Sequence, residues 1–368
     1  MSNTNLESYP PPFRPSSKPL VVEPPADRVD DDDDDDDSAE SDSDPIPIID
    51  FQSLVGLNKD NNDCNKLGEA CKDWGLFRLV NHGVPPDLLN KLEDYARELF
   101  YLSFESKQAL FTTTTPNLSY FWGTPALTPS GAALSRDPQN INWVEGLNIP
   151  LCQLSQLQPQ QHPTANLTSF RPLIEEYGRH LGRLATAIFE VMSDKLYMDK
   201  RDKSKPSLSE STGLIRVYRY PPYSNDDVDD NDNGDHTAWG MDVHTDSSVL
   251  SILNQDQVSG LEVLKDDQWF TVKPVSNTLI VNLGDMMQAI SNDEYKSVKH
   301  RVKVNKYKER LSICYFVFPG EESVIKSSKY KPFTYSDFQA QVQRDVKALG
   351  YKVGLERFKI TNTFTEAC

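Results

Sequence analysis

Two textures of hydrophobic and polar positions divide the chain. Up to residue 210 the apolar residues recur every three or four places. Leu88, Leu92, Tyr95, Leu99 and Leu102 do so within residues 86–102, and Leu173, Tyr177, Leu181, Leu184, Ile188 and Met192 within residues 170–196. That period stacks them on one face of a helix. A shorter helix fits residues 66–73. A strand fits residues 76–80 and ends in the turn Asn81-His82-Gly83. Residues 111–163 read as loop-rich. After Ser211 the apolar runs shorten to strand length, at residues 214–220, 249–254, 261–264, 269–272, 278–283, 300–304 and 311–318, with Gly, Asn, Asp and Pro between them. Short strands at this spacing predict a sandwich or barrel. A last helix fits residues 335–349. The expected organisation is a disordered acidic tail over 1–44, a mainly helical region over 45–210, and a β-core with a C-terminal helix over 211–360.

Charge changes the picture at the front of the chain. The net charge is -17. Residues 27–44 hold twelve acids and one arginine, and residues 226–235 hold six acids and no base, so these two stretches carry the whole excess. Eight consecutive aspartates at 30–37 repel one another and bury nothing, which predicts a solvated tail. No block of Lys and Arg offers phosphate a basic face, so nucleic acid is not an expected partner. No apolar run reaches membrane-spanning length, and the N-terminus has no basic-then-apolar leader. The five cysteines, Cys64, Cys71, Cys152, Cys314 and Cys368, form no CxxC pair. Reduced thiols in a cytoplasmic protein are the expectation. Asp229, Asp230, Asp232 and Gly234 imitate the first half of a calcium loop, but Gly240 stands where the bidentate Glu is required, so no calcium site is expected.

Three groups of residues carry candidate chemistry. His244 and Asp246 are two apart, so on an extended segment they point the same way and can share an ion. Alone, such a pair is common by chance. His300, at the start of a later strand, offers a third ligand. Two histidines and one carboxylate leave half of an octahedral ion open, the arrangement of non-haem iron(II) oxygenases. No H-E-x-x-H helix supports the rival zinc hydrolysis. Arg310 and Ser312 share a strand face, and a guanidinium fork suits a carboxylate. An ion pair with a neighbouring acid remains the alternative for that arginine.

In order along the chain stand ACKDWGLFRLVNHGVP (70–85), RVYRYPP (216–222), MDVHTDSSVLSILNQDQVSGLEV (241–263), TLIVNLGDMMQAISNDEYKSVKHRV (278–302) and ERLSICYFVFP (309–319). Together these blocks resemble the plant iron(II)- and 2-oxoglutarate-dependent dioxygenases. The resemblance spans residues 45–358. It implies a double-stranded β-helix, or jelly-roll, core with a helical N-terminal part. It implies iron(II) on His244, Asp246 and His300, and 2-oxoglutarate held by Arg310, Ser312 and Tyr220. Dioxygen is then the second cosubstrate and ascorbate the expected reductant. YFWGTP (120–125) and NWVEG (142–146) bring the gibberellin oxidases nearest, especially the 2β-hydroxylating, hormone-inactivating branch. Tyr218 and Arg219 depart from that family's usual Asn-Tyr, and Tyr223 replaces its Cys. Tyr120, Trp122, Trp143 and Phe316 are the candidate wall of a pocket for a small apolar substrate. Two alternatives stay open: a dioxygenase acting on an auxin, flavonoid, alkaloid, steroid or other gibberellin position, and a non-catalytic small-molecule-binding barrel.

Overall fold

The computed structural model describes residues 6–14, 44–56, 61–112, 119–124, 141–156, 167–196, 208, 213–223 and 238–360. The first half comprises β1 (Ile48–Asp50), α1 (Phe51–Val55), α2 (Asn61–Asp73), β2 (Leu76–Val80), α3 (Pro86–Phe100), α4 (Phe104–Thr112), β3 (Ser119–Trp122), β4 (Glu145–Pro150) and α5 (Leu167–Lys195). The second half comprises β5 (Leu214–Tyr220), β6 (Trp239–His244), β7 (Leu250–Gln255), β8 (Leu261–Lys265), β9 (Gln268–Thr271), β10 (Leu279–Leu283), α6 (Asp285–Ile290), β11 (His300–Lys303) and β12 (Arg310–Val317). After the short hairpin β13 (Val324–Ile325) and β14 (Phe333–Thr334), α7 (Tyr335–Leu349) follows. Local chemistry sets several of these boundaries. Pro86 opens α3 where a missing N–H costs nothing. Thr334 and Asp337 cap α7 reciprocally, and Gly350, at φ 82°, ends it in the left-handed region.

Eight strands form the larger sheet, in the order β1-β2-β10-β7-β12-β5-β4-β3, and four form the smaller, β6-β11-β8-β9. Side chains alternate across the larger sheet, so it feeds two cores. Its outer face packs on the helices, with Leu311, Ile313, Tyr315 and Val317 of β12 against Tyr177, Leu181, Leu184 and Ile188 of α5 in one buried cluster. Its inner face meets the smaller sheet through Tyr218, Tyr220, Ile280, Cys314 and Phe316, opposite Met241, Leu261, Val263 and Val302. The two sheets face each other as a jelly roll. Gly240 permits the close approach, since a Cβ there would stand 2.4 Å from the Tyr220 ring.

Two expectations need correction. Strands β3 and β4 lie in the stretch read as loop-rich, and β1 to β4 of the N-terminal region complete both flanks of the large sheet. Their composition explains why the pattern hid them: β4 is EGLNIP, whose Gly and Pro read as turn residues. The acidic tail is also not unstructured from its start. Residues 6–14 form two short 3-10 turns that bury Tyr9 and Phe13. Their aromatic content outweighs the prolines that suggested disorder. The aspartate run at 30–37 and the acidic insert at 226–235, with its calcium-like motif, lie outside the described residues.

Candidate metal and cosubstrate site

His244 ends β6 and His300 begins β11, two neighbouring antiparallel strands in which the two residues are register partners. Asp246 follows β6 by two residues. Its Oδ1 lies 3.9 Å from Nε2 of His244 and 3.7 Å from Nε2 of His300. The three donor atoms all stand within 4.8 Å of one another. Two ligands of one transition-metal ion, each at about 2.1 Å, can be at most about 4.2 Å apart, and both distances to Asp246 fall inside that limit.

Hydrogen bonds already assign the remaining atoms of the cluster. His244 Nδ1 is 2.7 Å from the carbonyl of Asp242, and His300 Nδ1 is 3.2 Å from that of Val298. Each ring therefore donates its Nδ1–H to backbone and turns the Nε2 lone pair inward. Asp246 Oδ2 accepts from Ser251 Oγ at 2.6 Å and Asn282 Nδ2 at 2.7 Å, which leaves Oδ1 for an ion. The electrostatics agree. Burial, and then the neighbouring His300, push the His244 imidazole well below its ordinary range, which favours the neutral ring. Burial opposes the Asp246 charge, but His300, His244, Ser251 and Asn282 outweigh it and lower its pKa. Two imidazole nitrogens and a carboxylate are the kind of donor set a divalent ion needs. Lys352 braces the loop between the ligands, donating to Thr245 O at 2.5 Å and to Asp285 Oδ2 at 2.8 Å.

Arg310 opens β12 on the inner face, is 1% exposed, and is the register partner of Tyr220. Its guanidinium donates to Ser312 Oγ at 3.3 Å and to Gln255 Oε1 at 2.8 Å. Both partners are neutral, its Nε has no partner, and Arg310 makes no ion pair among the described residues. A buried cation left this way is costly unless an anion completes it. The alternative of a neighbouring acid therefore fails. Tyr220 stands beside it, with Arg310 Cζ 5.1 Å from the ring centre. Burial pushes the phenol up to about 12 while Arg310 pulls the other way, so Tyr220 stays protonated and able to donate.

The four expected pocket residues fall on different faces. Phe316 lies on the inner face of β12, paired in register with Ser251, whose hydroxyl holds Asp246. Tyr120 and Trp122 are turned away. In the β3–β4 register they sit opposite Leu147 and Glu145, on the helix side. Tyr120 donates its hydroxyl to Glu145, and Trp122 packs on Phe13 and Phe104. A one-residue offset separates the two faces of a strand, and Phe121, between them, is the ring that enters the inner core. Trp143 links the two sheets, donating its backbone N–H to Trp239 O, and packs on Phe13 and Tyr223. Ser251, Asn282 and Gln255 were not anticipated. Their signal was available: polar residues inside strands of otherwise buried hydrophobic sequence need a reason to be there.

A jelly roll with a two-histidine, one-carboxylate cluster at its mouth and an unpaired buried arginine inside defines a class of non-haem metal oxygenase. Comparison with known proteins agrees. The 2OG-Fe(II) oxygenase superfamily matches residues 211–319, and the non-haem dioxygenase in morphine synthesis N-terminal family matches residues 46–168. Gibberellin 2-beta-dioxygenase 8 of Arabidopsis thaliana is 34% identical, over 85% of this chain and 86% of its own. Oxoglutarate-dependent flavonoid 7-O-demethylase 1 of Ocimum basilicum is 32% identical, over 76% and 70% respectively. The crystal structure of JOX2 in complex with 2OG, Fe and JA superimposes with a TM-score of 0.67 at 29% identity, covering 86% of this chain and 89% of that one. The chain belongs to the 2-oxoglutarate- and iron(II)-dependent oxygenase superfamily. It is an enzyme, an oxidoreductase that uses iron(II) and 2-oxoglutarate, which overturns the reading of a non-catalytic barrel.

Proposed function

We propose that the chain hydroxylates a small hydrophobic plant metabolite, with a gibberellin, attacked on the 2β face, as the substrate. The observation that carries this choice is the likeness to gibberellin 2-beta-dioxygenase along 85% of the chain. A flavonoid demethylase at similar identity is the observation that favours the second reading, another small-molecule dioxygenase.

Bound iron, with 2-oxoglutarate and dioxygen as cosubstrates, would supply the hydroxylation of an unactivated C–H bond, one oxygen atom going to the substrate and the other to succinate, with carbon dioxide released. The protein's part is placement. Nε2 of His244, Nε2 of His300 and Oδ1 of Asp246 would hold the iron, and three protein ligands would leave positions for cosubstrates. Arg310 offers its fork to the far carboxylate of 2-oxoglutarate, Ser312 adds a hydroxyl, and Tyr220 a phenol. The apolar rings between the sheets, Phe316 among them, keep bulk water from the reacting centre and give a rigid floor for the substrate.

The test is a panel of candidate acceptors (gibberellins, an auxin, flavonoids, a jasmonate, a steroid) with purified protein, iron(II), ascorbate and 2-oxoglutarate. Succinate release coupled to a 2β-hydroxylated gibberellin is the expected result. Turnover of another class with every gibberellin inert refutes the hormone assignment.

A further inference from the structure

Three pairs of consecutive residues straddle the large sheet at one end. Arg219 and Tyr220 end β5, Gln255 ends β7 with Asp256 directly after it, and Glu309 precedes Arg310 at the start of β12. Consecutive residues face opposite sides of a sheet. Tyr220, Gln255 and Arg310 therefore meet between the sheets, where Gln255 accepts from Arg310. Arg219, Asp256 and Glu309 meet on the helix side as a second, charged cluster. Arg219 Nε lies 2.6 Å from Glu309 Oε2. Arg97 of α3 bridges Asp256 at 2.8 Å and Glu309 at 3.5 Å. Asp256 also accepts the backbone N–H of Leu311 at 2.7 Å. The outer cluster thus grips β12 on both sides of Arg310, through the Glu309 side chain and the Leu311 amide.

The N-terminal segment seals that cluster. Arg219 Nη2 donates to Ser8 Oγ at 3.1 Å, and its guanidinium carbon is 4.2 Å from the centre of the Tyr9 ring. Tyr9 donates its hydroxyl to Glu309 at 3.2 Å. Lys107 donates to Ser8 O at 2.6 Å and pairs with Glu145 at 2.5 Å, while Glu145 also pairs with Arg219 at 3.0 Å. Arg219 and Glu145 are 1% and 0% exposed. Charges this far from water hold one another firmly, and leaving one unmatched is expensive. Burial works against the Arg219 charge, but Glu145, Glu309 and Tyr9 more than offset it and raise its pKa.

We propose that Arg219, covered by residues 6–14, is a positioning residue for the cosubstrate clamp: by fixing Glu309 on one face of the sheet it aims Arg310 on the other. The proposal rests on the clamp reading of Arg310 given above. Inside the barrel, among the described residues, Arg310 donates to two neutral partners, Ser312 and Gln255, and lies over the Tyr220 ring, so its direction before 2-oxoglutarate binds depends on where the backbone of β12 begins.

The experiment compares two keto acids on manganese-loaded, full-length protein by calorimetry without oxygen. 2-Oxoglutarate carries the far carboxylate that the clamp would hold, and 2-oxobutyrate lacks it. Arg310→Met is expected to erase the preference of the natural sequence for 2-oxoglutarate. Arg219→Gln is expected to weaken 2-oxoglutarate about tenfold while leaving 2-oxobutyrate within about twofold. A residue serving the fold alone would weaken both together or lower only the melting temperature, and either result overturns the proposal. Should Arg219→Gln not fold, Tyr9→Phe decides it, because it removes a single hydrogen bond to Glu309. Its ratio of the two affinities is expected to fall about twofold, and an unchanged ratio overturns the proposal. If the natural sequence itself shows no preference for 2-oxoglutarate, the clamp reading fails and takes the positioning role with it.

Discussion

Asn282 Nδ2 lies 2.7 Å from Asp246 Oδ2, inside a strand whose five residues are all buried. Together with Ser251 it fixes which carboxylate oxygen stays free for the proposed metal. Groups that orient ligands in this way are worth about 10- to 100-fold in metal affinity. Asn282→Leu and Ser251→Ala are therefore expected each to weaken iron(II) or manganese(II) binding by about tenfold or more. Metal titration of the purified variants checks this. Affinities equal to the unmodified protein's would mean that Asp246 needs no such support.

The buried arginine yields a prediction of opposite signs. Without an anion, Arg310 is an uncompensated buried charge; with 2-oxoglutarate bound as proposed it would be paired. Arg310→Met is expected to raise the melting temperature of the ligand-free protein and to abolish the stabilisation that 2-oxoglutarate confers. The loss on the bound side is about 2–5 kcal/mol, typical of removing one partner from a buried charge pair. Thermal denaturation with and without 2-oxoglutarate reads both signs, and a variant destabilised equally in both states would contradict the pairing.

The β-core was legible because its chemistry is local. His244, Asp246, Arg310 and Ser312 sit in short runs whose alternation fixes which face they share, and the strand at 214–220 matches β5 residue for residue. What the pattern could not carry was register. The stretch from Tyr120 to Trp122 reads as three aromatic rings in a row, and only the pairing of β3 with β4 decides that Phe121 faces inward and the other two outward. The outer charge cluster was invisible for a similar reason. Ser8, Tyr9, Lys107, Glu145, Arg219 and Glu309 are scattered along 302 positions, and no spacing rule unites them.

That difference in face gives a kinetic prediction. Tyr120→Phe and Trp122→Ala are expected to leave the KM for the organic substrate unchanged. They should instead lower stability, more so for Trp122→Ala, which deletes a half-buried ring packed on Phe13 and Phe104. Phe316→Ala, on the inner face beside the Asp246 support, is expected to lower kcat/KM for the substrate. Steady-state kinetics beside thermal denaturation separates the two effects. A raised KM in Trp122→Ala at full stability would put that ring back in the pocket.

Lys107 supplies a pH signature for the sealed cluster. Burial pushes its ammonium down to about 8, although Glu145 pulls the other way. In the unfolded chain the same group titrates near about 10.5. Between these values the unfolded state binds more protons than the folded one, so this residue makes stability rise with pH. Its penalty is complete below pH 8 and gone above the unfolded value. Tyr9 works in the opposite sense higher up: burial, then Glu309, raise its pKa, so unfolding gains from phenolate formation above about pH 10. The buried thiols of Cys71 and Cys314, whose pKa values burial raises, lower stability from about pH 8.5 upward, so the lysine is isolated between pH 8 and 10 only by comparison with Lys107→Met, which keeps both thiols. Over that range the denaturant midpoint of the natural sequence is expected to climb relative to Lys107→Met, by no more than a few kcal/mol in free energy. Parallel pH profiles for the two proteins would show that the lysine is hydrated in solution and that residues 6–14 do not seal the cluster.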